Sequence, residues 1–99
     1  MLTIKKELKD GVAAFALAGR LDTMTSPQLE EELKTALEET GRLDLDLDAL
    51  TYISSAGLRV LLWAQKAVAG RGELKVRNVC EAVMDIFTVT GFDEILTIE

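Results

Sequence analysis

From Arg42 the chain alternates leucine with aspartate, Leu43-Asp44-Leu45-Asp46-Leu47-Asp48, and after Tyr52-Ile53 it reaches two serines, Ser54-Ser55. Beyond them Leu58, Leu61, Ala64, Gln65 and Val68 recur at helical spacing. A period of two describes a strand with one apolar face, and a period near 3.6 describes a helix with an apolar stripe. The switch of period therefore predicts a strand that runs into a helix spanning Ser55 to about Gly70. Each element needs a partner layer for its apolar side, which points to a layered α/β fold. The junction itself is chemically specific. A helix N-terminus leaves backbone N–H groups unpaired and partly positive, so a serine there can cap the helix, bind an anion or carry a phosphate without breaking it.

The rest of the chain supplies the layers. Leu2 to Leu8 reads as a strand, Asp10-Gly11 as a two-residue hairpin turn, and Val12 to Ala18 as a second strand. That second strand is apolar on both parities, which predicts cover on both of its faces. It ends at Gly19-Arg20-Leu21-Asp22. Ser26-Pro27 predicts a capped helix start, with Leu29, Leu33, Ala36 and Leu37 as the stripe and Gly41 as the stop. The opposite face, Glu30, Glu31, Lys34, Glu38 and Glu39, is a solvated face with one i,i+4 pair, Glu30–Lys34. Glu73 to Arg77 is a further strand, and Val79, Val83, Ile86 and Phe87 mark a last helix ended by Gly91. Ile95 to Ile98 is expected to close the sheet. The predicted order is ββαβαβαβ: a mixed, mostly parallel sheet of about five strands with three helices, in one domain covering residues 1–99. Loops after the carboxyl ends of parallel strands gather on one rim, so Asp22-Thr23 and Ser54-Ser55 are expected to be neighbours.

Composition narrows the function. The 99 residues carry 11 basic and 17 acidic side chains, a net charge of −6, which repels phosphate backbones and anionic lipid. Nucleic acid is excluded as a partner and no direct membrane insertion is expected, since the longest apolar run, Val12 to Ala18, is far too short to span a bilayer. With no histidine, the usual neutral-pH base, the Ser-His-Asp arrangement and most zinc sites are missing. A lone cysteine, Cys80, fits a reduced, cytoplasmic setting and reads as a buried, inert thiol. The three aspartates do not make a calcium loop. Counting from Asp44, Ala49 and Ser55 stand where glycine and glutamate are required. A nucleophilic role for Ser54 or Ser55 lacks both a Gly-x-Ser-x-Gly elbow and a base. The expectation is a protein-binding module, not an enzyme, with no cofactor and no metal. On the switch helix, Arg59, Trp63 and Lys66 fall along the exposed side, where Trp63 is either a contact anchor or a cover for a neighbouring loop.

These residues resemble the STAS domain family, in particular the bacterial anti-sigma factor antagonists. Gly19-Arg20-Leu21-Asp22 is similar to the family's Gly-x-Leu-Asp loop, and Leu45-Asp46-Leu47-Asp48 to its central strand. Ile53-Ser54-Ser55-Ala56-Gly57-Leu58 resembles its switch motif and Thr90-Gly91-Phe92 its late turn. The resemblance implies a module that binds an anti-sigma factor, itself a serine kinase, when unmodified. Phosphorylation of one serine breaks the engagement and a serine phosphatase restores it. The matching acceptor is Ser55, with Ser54 as the alternative, because Ser54 stands where many members carry aspartate. The implied partner-binding residues are Asp22, Thr23, Ser54, Ser55, Ala56 and Gly57, to which the helix face adds Arg59 and Trp63. A competing expectation is a STAS accessory subunit of a membrane transport ATPase that never switches, in which the serine only caps its helix.

Overall fold

The structure, a computed structural model, describes residues 1–99. Its elements are β1 (Leu2–Lys9), β2 (Val12–Leu21), α1 (Ser26–Leu37), β3 (Arg42–Ile53), α2 (Ser55–Val68), β4 (Glu73–Arg77), α3 (Glu81–Thr90), α4 (Phe92–Ile95) and β5 (Thr97–Ile98). The strands form one sheet in the order β1-β2-β3-β4-β5, with β1 antiparallel to β2 and every other pairing parallel. The expected mixed α/β architecture is thus present. The hairpin turn forms where expected, Asp10 and Gly11 both taking positive φ, 54° and 78°, as a tight two-residue connection requires.

Apolar alternation decides which face carries the helices. Ala13, Phe15 and Leu17 on β2, Leu43, Leu45 and Leu47 on β3, and Leu74 and Val76 on β4 are all buried. Onto this face pack Leu29 and Leu33 of α1, Leu61 and Ala64 of α2, and Val83 and Phe87 of α3. Burying a Leu or Phe fully is worth about 1.5–3 kcal/mol, so this single cluster supplies the main drive for folding.

The opposite face of the sheet is open, and here the structure corrects the reading of β2 as covered on both sides. Ala14 and Ala18 are half-buried and Ala16 is exposed. Alanine is short enough to sit on a solvated face at little cost, so an apolar run rich in alanine does not require a second layer. The aspartate row lies on the same open face and pairs locally. Arg77 Nε donates to Asp44 Oδ1 at 2.9 Å, and Asp46 Oδ1 accepts from the Asp48 backbone N–H at 3.0 Å and from Asn78 Nδ2 at 3.1 Å. Those donors, the Asp48 N–H first and Asn78 second, hold the Asp46 carboxyl below its ordinary range.

Two further differences concern the closing strand and Cys80. The closing strand is shorter than the expected Ile95–Ile98: Phe92–Ile95 forms a fourth, one-turn helix and only Thr97–Ile98 pairs with β4. Gly91, left-handed at φ 81°, ends α3, and Asp93 and Glu94 then favour a new helical turn because carboxylates suit a helix N-terminus. Cys80 is half-buried instead of buried, its Sγ 3.3 Å from the Leu50 carbonyl oxygen.

Gly19 fixes where the N-terminal strand meets the sheet. Its φ is +104°, and a side chain there would run into the Met1 carbonyl oxygen, which accepts the Arg20 N–H at 3.0 Å. Gly19→Ala is expected to cost about 1–3 kcal/mol, the usual size of such backbone strain, and to loosen β1 before the rest of the sheet. Urea unfolding and amide exchange at Leu2–Ile4 test this. Unchanged stability would show that the strand start can shift without loss.

Candidate functional site

The site is built where β2 and β3 end side by side. Leu21 is paired with Ile53 in the parallel ladder, so both strands finish at the same level. The Ser54 N–H then donates to the Leu21 carbonyl at 2.9 Å, tying the start of α2 to the start of the β2–α1 loop. The expected meeting of the two loops is real and is held by a backbone hydrogen bond. Gly57 allows α2 to come this close. It is buried, and a Cβ at this position would lie 2.8 Å from both Ile53 Cγ1 and Leu21 Cγ. The glycine's role is thus to seat the helix on the strand ends, beneath the surface a partner would touch.

Asp22 organises the β2–α1 loop. Asp22 Oδ1 accepts from the backbone N–H groups of Met24 and Thr25, each at 3.0 Å. The Thr25 hydroxyl accepts from the Asp22 N–H at 2.9 Å and donates to the Arg20 carbonyl at 2.8 Å. Ser26 does not cap α1 as the sequence suggests. It is the first helical residue, and its hydroxyl donates to the Asp22 carbonyl at 2.5 Å while Thr25 holds the capping position. Asp22 therefore spends its carboxylate inside the loop. Arg20 lies outside it, its guanidinium 4.1 Å from the centre of the Tyr52 ring and Nε 3.9 Å from Asp22 Oδ2.

The two serines differ sharply. Ser54 is the residue before α2, in extended conformation, and its Oγ is shielded from solvent with neither a capping bond nor any other hydrogen-bond partner. An orphaned hydroxyl costs about 1–3 kcal/mol. Ser55, the first residue of the helix, is exposed.

Next to Ser55, α1 and α2 enclose a groove of about 450 Å³. Thr23, Ser26, Pro27 and Glu30 line one side, and Ala56, Arg59, Val60 and Trp63 the other. The site thus gathers Thr23, Ala56, Arg59 and Trp63 from the expected set and adds Ser26, Pro27, Glu30 and Val60. The α1 residues were hidden because their spacing says only that they start a helix, not that the helix faces α2. Trp63 is half-buried against the core, with Lys34 Nζ 5.8 Å from its ring centroid. Lys66 is not among the groove's lining residues, so the expected continuous strip of Arg59, Trp63 and Lys66 divides: the first two turn toward α1 and the lysine stays in solvent. Rotation does not separate them, since Lys66 lies only about 20° around the helix from Arg59; seven residues put it about 10 Å further along α2.

The Asp22 network makes the loop pH-sensitive in a definite direction. Donation by the Thr25 backbone N–H, aided by the Met24 N–H and opposed by desolvation, lowers the Asp22 pKa from its ordinary 3.8. A carboxyl whose folded pKa is depressed adds stability above the unfolded pKa, and that stability is lost as pH falls through the folded value. Carboxyl-carbon NMR is expected to show Asp22 titrating below 3.8, and Asp22→Asn to weaken the fall in Tm on acidification below about pH 4. An Asp22 midpoint at or above 3.8 would refute the network.

The chain is similar to several known proteins. The family model described as STAS_2 (Mlab, STAS domain) matches residues 4–97. BtrV of Bordetella bronchiseptica is 38% identical over 85 residues, 84% of this chain and 73% of that one. The anti-sigma-B factor antagonist of Bacillus subtilis is 32% identical over 83 residues, 83% of this chain and 76% of that one. Among solved structures, the Bacillus anti-sigma factor antagonist SpoIIAA superposes with a TM-score of 0.77 unphosphorylated and 0.75 phosphorylated. Those superpositions cover 98% of this chain and 87% and 91% of SpoIIAA, at 16% and 15% identity, and speak for the fold alone. No helix is long and apolar enough to cross a membrane. With the model spanning nearly the whole sequence and the sheet, the strand-end rim and the Ser-Ser junction in place, the chain belongs to the STAS domain family.

Proposed function

We propose that this protein is a cytoplasmic anti-sigma factor antagonist that works by partner switching. Unmodified, it binds an anti-sigma factor through the rim formed by Thr23, Ser55, Ala56, Arg59 and Trp63, and so frees a sigma factor. The anti-sigma factor is also the serine kinase: it phosphorylates Ser55, the complex dissociates, and a serine phosphatase resets the module. Asp22 and Gly57 act beneath this surface, the first by shaping the loop and the second by seating the helix. The protein is a binding module and catalyses nothing itself.

The observation that carries this reading is the contrast between the serines. Ser55 is exposed at the first position of a 14-residue helix, beside the α1–α2 groove, whereas the Ser54 hydroxyl is shut off from solvent. A kinase can reach the first and not the second. Relatives named as anti-sigma-B factor antagonists support the same direction. A phosphoserine adds about 1.5–2 negative charges, and the helix N-terminus tolerates them, so the modification alters the partner surface and leaves the core alone.

Affinity capture from the native cell extract, with mass spectrometry of the captured proteins and of Ser54 and Ser55, identifies the partner and the modified residue. Ser55→Ala is then expected to bind that partner normally and to resist phosphorylation. Ser55→Asp is expected to lose tenfold or more in affinity, about 1.4 kcal/mol, with its Tm nearly unchanged. Phosphate found only on Ser54 would overturn the choice of acceptor. Full affinity in Ser55→Asp, with no phosphate on either serine, would replace the switch by a constitutive binding subunit.

A further inference from the structure

Arg59 is the uncommitted cation of the groove. Only two of the lining side chains are charged, Glu30 and Arg59, and Glu30 Oε2 is already engaged by Lys34 Nζ at 3.3 Å. Arg59 is exposed, makes no side-chain hydrogen bond, and has no carboxylate oxygen within 4 Å. Neighbouring cations are spoken for or distant. Arg20 stacks on Tyr52 and approaches Asp22, Lys34 holds Glu30 near the Trp63 ring, and Lys66 lies a further seven residues along α2. Arg59 follows Ser55 by four residues on a continuous helix, a spacing that brings the two Cβ atoms to about 6 Å on the same face.

Resting on the reading that Ser55 is phosphorylated, we propose that Arg59 is the positioning residue for that phosphate: its guanidinium leaves the α1–α2 groove and pairs with the phosphoserine one turn away. A guanidinium can donate two parallel N–H bonds to phosphate oxygens, a geometry that a lysine ammonium does not reproduce. Phosphorylation then changes the partner face twice. It adds negative charge at Ser55, and it withdraws the groove's one free positive charge, leaving Glu30 and Trp63 to face a partner that had docked on Arg59. The released state is thereby held by a contact within the helix itself and needs no rearrangement of the core.

The test uses the full chain with phosphoserine installed at position 55 during translation, followed by phosphorus NMR across the pH range. The second pKa of phosphoserine is ordinarily about 6. It is expected to lie lower here, to rise by about half a unit in Arg59→Gln, and to fall between the two in Arg59→Lys. Lys66→Gln serves as the control for the general field and is expected to leave the value unchanged. Circular dichroism verifies that each variant is helical, as substitutions at exposed positions should be. An identical phosphate pKa in the parent and Arg59→Gln would overturn the proposal, as would equal shifts in Arg59→Gln and Lys66→Gln. Because the phosphate is encoded, a kinase that ignores Ser55 in the cell would defeat the proposed function without altering this reading of Arg59, and the two failures are told apart.

Discussion

The parallel pairing of β2 with β3 is the contact on which the site depends. Leu21 opposite Ile53 brings two strand ends to one level, and the Ser54 N–H to Leu21 carbonyl bond joins the loops that leave them. A helix can start on that rim only if its first turn lies almost against the strand ends, which is why a buried glycine, Gly57, sits between Ala56 and Leu58. A larger residue would push α2 outward, widen the groove against α1, and move Ser55 relative to Thr23. The backbone thus sets the geometry of a surface whose chemistry resides in exposed side chains.

The core, the open sheet face and the rim beside Ser55 are three separate regions of the molecule. The leucine face of the sheet, with α1, α2 and α3 upon it, holds the buried core, while the aspartate face is open and its charges are matched over short distances by Arg77, Asn78 and a backbone N–H. Exposed pairs of this kind contribute little, typically less than about 1 kcal/mol each, so the open face adds order more than stability. The rim beside Ser55 is prepared differently. The Asp22 network makes one loop stiff, and α2 supplies a rigid platform, so a partner would meet a surface that needs little ordering on binding.

Much of this was legible in the chain. The Leu43–Asp48 alternation, the Asp10-Gly11 turn, the stripes of the first two long helices and the Gly91 stop each follow from local chemistry and appear where expected, whereas Val79 of the expected third stripe falls before α3, which starts at Glu81. Asp22, Ser55, Gly57 and Arg59 could be singled out from the chain, but not that Asp22 is bonded within its own loop and Gly57 buried against Leu21 and Ile53, since the packing of α2 on two strand ends joins separate segments. The register of β3 was less so. Its buried residues step by two through Leu43, Leu45 and Leu47, then by three to Leu50 and again by three to Ile53, where the pairing with β2 shifts. That change of step marks bulges, and a reading limited to the strict alternation ends the strand five residues early.

Local pattern determined the elements, their order and the candidate switch because hydrophobic period, capping and turn chemistry act over a few residues. What only the tertiary structure decided depends on contacts between distant segments. Whether β2 has one covered face or two depends on where the helices go, and alanine suits either case. Whether Trp63 faces solvent or a groove depends on α1, 26 or more residues away in sequence. The difference between Ser54 and Ser55 is of the same kind: two identical side chains, adjacent in the chain, are separated by the packing around the strand end, which buries one hydroxyl and leaves the other open to a partner.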